Sequence, residues 1–187
     1  MFNGKIVENF IKKEDCEYLI NVVKDIPSWE SGGDFWKDRV LNLGTIFNID
    51  RKASSIVASA ISKQKELIKN HYSLDYDVYP DVVQMIRWFP GMEQPPHSDD
   101  MTDAGIAGFD HRLYGSIIYL NDNFSGGKTY YPKLNYIIIP KAGKLAIHPG
   151  DPEHLHGVSE IQDNIRYTIA SFWTKDKDKE YDYSIYK

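Results

Sequence analysis

Around Pro80 the chain changes texture, and that change most restricts the folds open to it. Upstream, apolar residues recur every three or four positions. Cys16, Leu19, Ile20 and Val23 make one such stripe, with Glu14 and Asp15 suited to a first turn and Pro27 ending it. Ala53, Ile56, Val57, Ala60, Ile61, Gln64, Leu67 and Ile68 make a longer stripe, with Lys52, Ser55, Ser59, Lys63 and Lys69 mostly off it. Both stripes read as helices that bury one face. The lone Cys16 falls on such a face, so it reads as a buried thiol. Downstream, runs rich in Val, Ile, Tyr, Phe and Trp alternate with turn residues. They predict strands over 82–89, 113–120, 136–139, 145–148 and 166–173, after an isolated first strand over 6–10. Helices first and strands after predict an α+β chain, its helices packed on one face of a sandwich or barrel.

Composition narrows the chemistry. One cysteine in 187 residues excludes a disulfide within the chain and a cysteine-built zinc site. Metal binding is left to the six histidines and the carboxylates. The net charge of −5 gives no support to a nucleic-acid coat or a polybasic membrane binder. No apolar run approaches the roughly 20 residues that span a bilayer, and Met1-Phe2-Asn3-Gly4-Lys5 opens no long apolar signal segment. The expectation is one cytoplasmic domain over 1–187, helical over about 11–71 and strand-built over about 80–174. The charged, tyrosine-bearing stretch 175–187 reads as a frayed surface segment.

His97-Ser98-Asp99 is the most informative local pattern. In extended backbone, residues two apart point to one side, so His97 and Asp99 can grip one ion together. A third ligand must come from elsewhere. His154-Leu155-His156-Gly157-Val158 offers two histidines of the same parity, His156 and its rival His154. Two histidines and one carboxylate make the facial triad of non-haem Fe(II) oxygenases, which leaves positions open for a bidentate co-substrate and O2. Arg166 opens a strand-like run with Arg166, Thr168, Ala170 and Phe172 on one face. A cation there is costly to bury alone. It calls for a carboxylate, either from a protein Asp or Glu or from a ligand that its guanidinium fork can hold.

These residues, in this order, resemble the Fe(II)- and 2-oxoglutarate-dependent dioxygenases, and within them the prolyl 4-hydroxylases. The carrying stretches are Met85-Ile86-Arg87-Trp88-Phe89-Pro90-Gly91, His97-Ser98-Asp99, Ile117-Ile118-Tyr119-Leu120-Asn121-Asp122, Phe124-Ser125-Gly126-Gly127-Lys128-Thr129-Tyr130-Tyr131-Pro132, His156-Gly157-Val158 and Arg166-Tyr167-Thr168. The resemblance covers roughly 82–173, about half the chain. The resemblance implies a double-stranded β-helix, or jelly roll, with its site at the open mouth. It implies Fe(II) on His97, Asp99 and His156, and 2-oxoglutarate held by Arg166 and Tyr119 in a pocket lined by Ile117, Thr129, Thr168 and Phe172. It places Arg112 where oxygen-sensing prolyl hydroxylases carry a substrate-contacting arginine, with Phe172 beside the substrate. It implies hydroxylation of an unactivated C–H bond with O2, release of succinate and CO2, and support of turnover by ascorbate. A prolyl residue in a peptide or protein is the expected substrate.

The alternatives are another amino-acid side chain, a small metabolite, or a non-catalytic jelly-roll module that binds a metal or a sugar. One departure is plain. The branch usually carries a tyrosine just before its glycine-containing turn, where this chain has Trp88 and Phe89. Residues 28–40 and 98–112 are long polar stretches that read either as lids over an extended peptide or as disordered surface loops. Trp29, Phe35 and Trp36 read either as a flap on the core or as a groove wall.

Overall fold

The computed structural model describes residues 1–27, 29, 35–101 and 108–181. Its helices are α1 (Lys13–Val23), α2 (Leu43–Ile49) and α3 (Arg51–His71). Its strands are β1 (Lys5–Val7), β2 (Val40–Asn42), β3 (Tyr79–Trp88), β4 (Gln94–His97), β5 (Tyr114–Tyr119), β6 (Thr129–Tyr131), β7 (Tyr136–Ile138), β8 (Leu145–Pro149), β9 (His156–Val158) and β10 (Arg166–Thr174). Six strands form one sheet in the order β1-β8-β5-β10-β3-β2, and four form a second in the order β4-β9-β6-β7. Every strand pairing in both is antiparallel. The two sheets enclose a cavity between their inner faces, the double-stranded β-helix expected above.

Period-two alternation divides the long strands between two environments. Val82, Gln84, Ile86 and Trp88 of β3, with Arg166, Thr168, Ala170 and Phe172 of β10, line the cavity. Val83 and Met85, with Tyr167, Ile169 and Trp173, join the core under the helices. That core also takes Cys16, Leu19 and Val23 from α1, Leu43, Ile46 and Phe47 from α2, and Ala53, Val57, Ala60, Ile61 and Ile68 from α3. The helices therefore cover the outer face of the larger sheet. Each large side chain buried there contributes about 1.5–3 kcal/mol. Asp50 caps α3, accepting from the Ala53 N–H at 2.7 Å, a bond worth about 1 kcal/mol. Gln64 of α3 reaches the sheet: Ser116 Oγ donates to its Oε1 at 2.7 Å and receives the Trp173 Nε1–H at 2.9 Å.

The structure departs from the sequence expectation in its short elements. β2, β4, β6, β9 and α2 were not predicted, and β1 falls on Lys5–Val7 rather than 6–10. These strands are three or four residues long, too short to show a period. Pro95 and Pro96 make β4 look unlike a strand, yet it lies at the edge of its sheet, where a missing N–H costs least. The segment after residue 174 is anchored as far as Tyr181, whose N–H donates to Pro80 O at 2.7 Å and whose side chain packs on the main core. The predicted loop over 31–34, part of each predicted lid and the end of the tail lie outside the described residues.

Candidate active site

β4 and β9 set two histidines side by side. His97 and His156 are register partners, with ring centroids 4.5 Å apart. Asp99 follows β4 and is 5% exposed. One donor atom from each of His97, Asp99 and His156 lies within 4.8 Å of the other two, a spacing that can hold one metal ion. The outer nitrogens are engaged. His97 Nδ1 lies 3.1 Å from Pro95 O, and His156 Nδ1 lies 3.1 Å from His154 O. With Nδ1–H donating to those carbonyls, both Nε2 lone pairs are left for the shared centre. Burial, and His148 beside it, push the His156 imidazole down to about 3, so it is neutral and a competent donor near pH 7.

His154 does not join this group. It ends a 3-10 turn, Pro152–His154, and its Nδ1 lies 2.8 Å from Asp151 Oδ1. Asp151 also accepts from the N–H groups of Glu153 and His154. The shared parity that made His154 a rival is broken by that turn; its part in the site is the carbonyl it offers His156.

Arg166 is 2% exposed, and among the described residues it has no carboxylate partner. Its Nη2 donates to Thr129 Oγ1 at 3.5 Å, and Tyr119 OH shares that oxygen at 2.7 Å. Its Nε has no partner. Burial draws the guanidinium pKa down to about 10, still well above neutrality, so the cavity wall carries a full positive charge. No ion pair with a described residue accounts for this cation. Tyr119 and Thr129, both fully buried, stand behind Arg166, while Ile117, Thr168 and Phe172 line the cavity itself. The cavity measures about 380 Å³.

At its mouth Arg112 lies between Phe109 and Phe172, its guanidinium carbon 3.9 Å and 4.3 Å from their ring centroids. Its Nε donates to Asp81 Oδ2 at 2.7 Å. The three aromatics near residue 30 divide. Trp29 is buried in the core and donates from Nε1 to Val23 O at 3.2 Å, whereas Trp36 lines the cavity.

Three residues of the site were not foreseen. His148 on β8 is buried in the cavity wall, its ring centroid 4.4 Å from that of His156. Burial lowers its pKa to about 4. Gln94, three residues before His97, places its amide Nε2 3.3 Å from His97 Nε2. Gly115 on β5 faces both His148, its register partner, and the Asp99 carboxylate. The available signal was alternation: Ala146 and His148 share a parity that a strand over 145–148 directs opposite to Leu145 and Ile147.

No protein-family model matches the chain. It is 24% identical to a putative prolyl 4-hydroxylase of Acanthamoeba polyphaga mimivirus, over 92% of this chain and 74% of that protein. Probable prolyl 4-hydroxylases of Arabidopsis thaliana match at 23–26% identity, and the chain spans about half their length. Among solved structures, the viral collagen prolyl hydroxylase of Paramecium bursaria Chlorella virus-1, in complex with 2-oxoglutarate, superposes with a TM-score of 0.66 at 20% identity, covering 94% of this chain and 97% of that one. A prolyl hydroxylase from Trichoplax adhaerens, in complex with a peptide fragment of the hypoxia-inducible-factor oxygen degradation domain, superposes with a TM-score of 0.65 at 16% identity, covering 96% and 86%.

The fold is that of the Fe(II)/2-oxoglutarate oxygenases. Within that class the chain resembles the prolyl 4-hydroxylases, in sequence as in fold. Among the described residues, no helix is long and apolar enough to cross a membrane.

Proposed function

We propose that this chain is an Fe(II)- and 2-oxoglutarate-dependent dioxygenase that hydroxylates an unactivated C–H bond of a prolyl residue in a peptide or protein. One observation carries the reading. A three-donor cluster of two histidines and one carboxylate shares a single cavity with a buried arginine that, among the described residues, has no carboxylate to neutralise it. A bare metal or sugar site has no need of that cation; a dicarboxylic co-substrate does.

His97, Asp99 and His156 hold the iron. Arg166, oriented by Tyr119 and Thr129, holds the far carboxylate of 2-oxoglutarate, and Ile117 and Thr168 flank its carbon chain. The bound pair supplies the oxidative chemistry: O2 is split, 2-oxoglutarate becomes succinate and CO2, and one oxygen atom enters the substrate as hydroxyl. The protein's own work is to bind, orient and keep water out. Arg112, fixed by Asp81 and clasped by Phe109 and Phe172, faces the incoming peptide. Support for a peptide comes from the peptide complex of the Trichoplax protein and from the names of the curated relatives.

The test is succinate release with Fe(II), ascorbate and 2-oxoglutarate, with and without a proline-rich peptide. The expected product is the peptide carrying one added oxygen on proline, located by fragmentation mass spectrometry. Absence of both turnover and 2-oxoglutarate binding removes the reading.

A further inference from the structure

Trp88 of β3 and Arg166 of β10 are register partners. Both line the cavity, and both are 2% exposed. Each carries a buried N–H without a hydrogen-bond partner among the described residues: the indole Nε1 of Trp88 and Nε of Arg166. The Arg166 guanidinium carbon lies 5.9 Å from the Trp88 ring centroid and 5.3 Å from that of Tyr119. Trp88 is also packed by Arg39, its guanidinium carbon 4.6 Å from the ring centroid, and by Trp36, edge-on at 5.8 Å. Those contacts account for the burial of the indole carbons but give its N–H no acceptor. A buried donor left unpaired costs free energy that an arriving acceptor returns. Indole can only donate, so the missing group is an acceptor, and the neighbouring cation selects an anionic one.

We propose that Trp88 is a further arm of the carboxylate clamp, its Nε1–H donating to the same ligand carboxylate that Arg166 holds. The inference rests on the proposed function, which makes that ligand 2-oxoglutarate, and adds to it a residue that reads the co-substrate. A carboxylate offers about four lone-pair directions on two oxygens. It can therefore accept from the guanidinium and the indole together. The clamp contacts only the far end of the co-substrate. It distinguishes a 2-oxo diacid from a 2-oxo monoacid such as pyruvate and leaves metal binding untouched.

The experiment uses the full chain loaded with Zn(II), a diamagnetic stand-in, with 15N-labelled indoles. Four tryptophans give four indole N–H signals, and the Trp88 signal is the one missing from Trp88→Phe. Addition of 2-oxoglutarate moves that signal downfield, and pyruvate leaves it in place. By calorimetry, Trp88→Phe weakens 2-oxoglutarate roughly tenfold or more, the scale of one hydrogen bond to a charged group. Its affinities for Zn(II) and pyruvate stay those of the wild type, and its three remaining indole signals stay put, which excludes misfolding. A Trp88 signal unmoved by 2-oxoglutarate overturns the proposal even if the variant fails to fold. Equal losses for 2-oxoglutarate and pyruvate overturn it as well. Wild-type protein that binds Zn(II) but not 2-oxoglutarate removes the oxygenase reading itself, and the clamp with it.

Discussion

Adding one methyl group at Gly115 tests the metal site through a residue that is not a ligand. A Cβ there would lie 1.9 Å from Asp99 Oδ2, 2.6 Å from His148 Cε1 and 2.9 Å from His148 Nε2. In an unobstructed strand, Gly→Ala stabilises by about 0.4–1 kcal/mol, because the unfolded chain loses freedom. Here the methyl meets two packed polar groups, and overpacking of this kind costs about 1–3 kcal/mol. The net expectation is a destabilisation of about 1–2 kcal/mol.

The effect on the metal is larger. To regain van der Waals separation from that methyl, the carboxylate oxygen must retreat by about 1.5 Å. That is most of a metal–oxygen bond of about 2.0–2.2 Å. Gly115→Ala is therefore expected to weaken Co(II) or Zn(II) by about 100-fold, the upper end of the losses seen when a ligand's supporting shell is removed. Calorimetric titration of apo-protein measures the affinity, and urea unfolding measures the stability. The control is the same substitution in an Asp99→Ala background, where the methyl has no carboxylate to displace and metal affinity should not fall further. A folded Gly115→Ala protein that binds metal as tightly as wild type would refute the reasoning. So would a second, full loss in the Asp99→Ala background.

Arg166→Ala should weaken 2-oxoglutarate by about 2–5 kcal/mol, the cost of breaking a buried charge pair, and leave metal affinity unchanged; equal losses in both count against its role. His154→Ala should leave metal binding near wild type, whereas His156→Ala should abolish it, and the reverse pattern would exchange the two histidines. Acid should destabilise the apo-protein through His148 and His156. Their folded values of about 4 and about 3 lie below the usual 6.5, so between those limits the unfolded chain binds more protons and stability rises with pH. At pH 5 each histidine costs up to about 2 kcal/mol relative to pH 7. Urea unfolding at both pH values should show His148→Phe losing its share of that slope, and an unchanged slope sinks the assignment.

What could be read from the residues was chemistry concentrated in one stretch. His97 and Asp99 sit two apart in extended backbone, and alternation put Arg166, Thr168, Ala170 and Phe172 on one strand face, which in the structure lines the cavity. The helical stripes announced the covered face of the larger sheet just as directly. What escaped was whatever depends on pairing between strands distant in sequence. His148 ends an apolar run and looks like the polar stop of a strand. It becomes part of the site only because β8 pairs with β5, which sets Gly115 opposite it. Gly115 in turn has no local reason to be glycine: its φ is not positive, and the atoms it makes room for belong to residues 16 and 33 positions away. The choice between His154 and His156 turned on a 3-10 turn nucleated by Asp151, a local device that strand parity does not register.

The two halves of the site sit on different sheets. His97 and His156 come from the four-stranded sheet, with Asp99 just beyond it, while Trp88, Tyr119 and Arg166 come from the six-stranded one. Thr129 of the smaller sheet crosses between them, its hydroxyl shared by Tyr119 and Arg166. The metal-side and arginine-side groups therefore sit mainly on separate sheets, which meet at Thr129 and where His148 of the larger sheet packs on His156 of the smaller. On the proposed function, the distance from iron to the far carboxylate would be set by how the sheets pack. A co-substrate of the wrong length would have to break the Thr129 contact or leave Arg166 buried without its anion, and burial of that unpaired charge is the larger cost. On that reading, selectivity for a dicarboxylate of one length would follow from sheet packing.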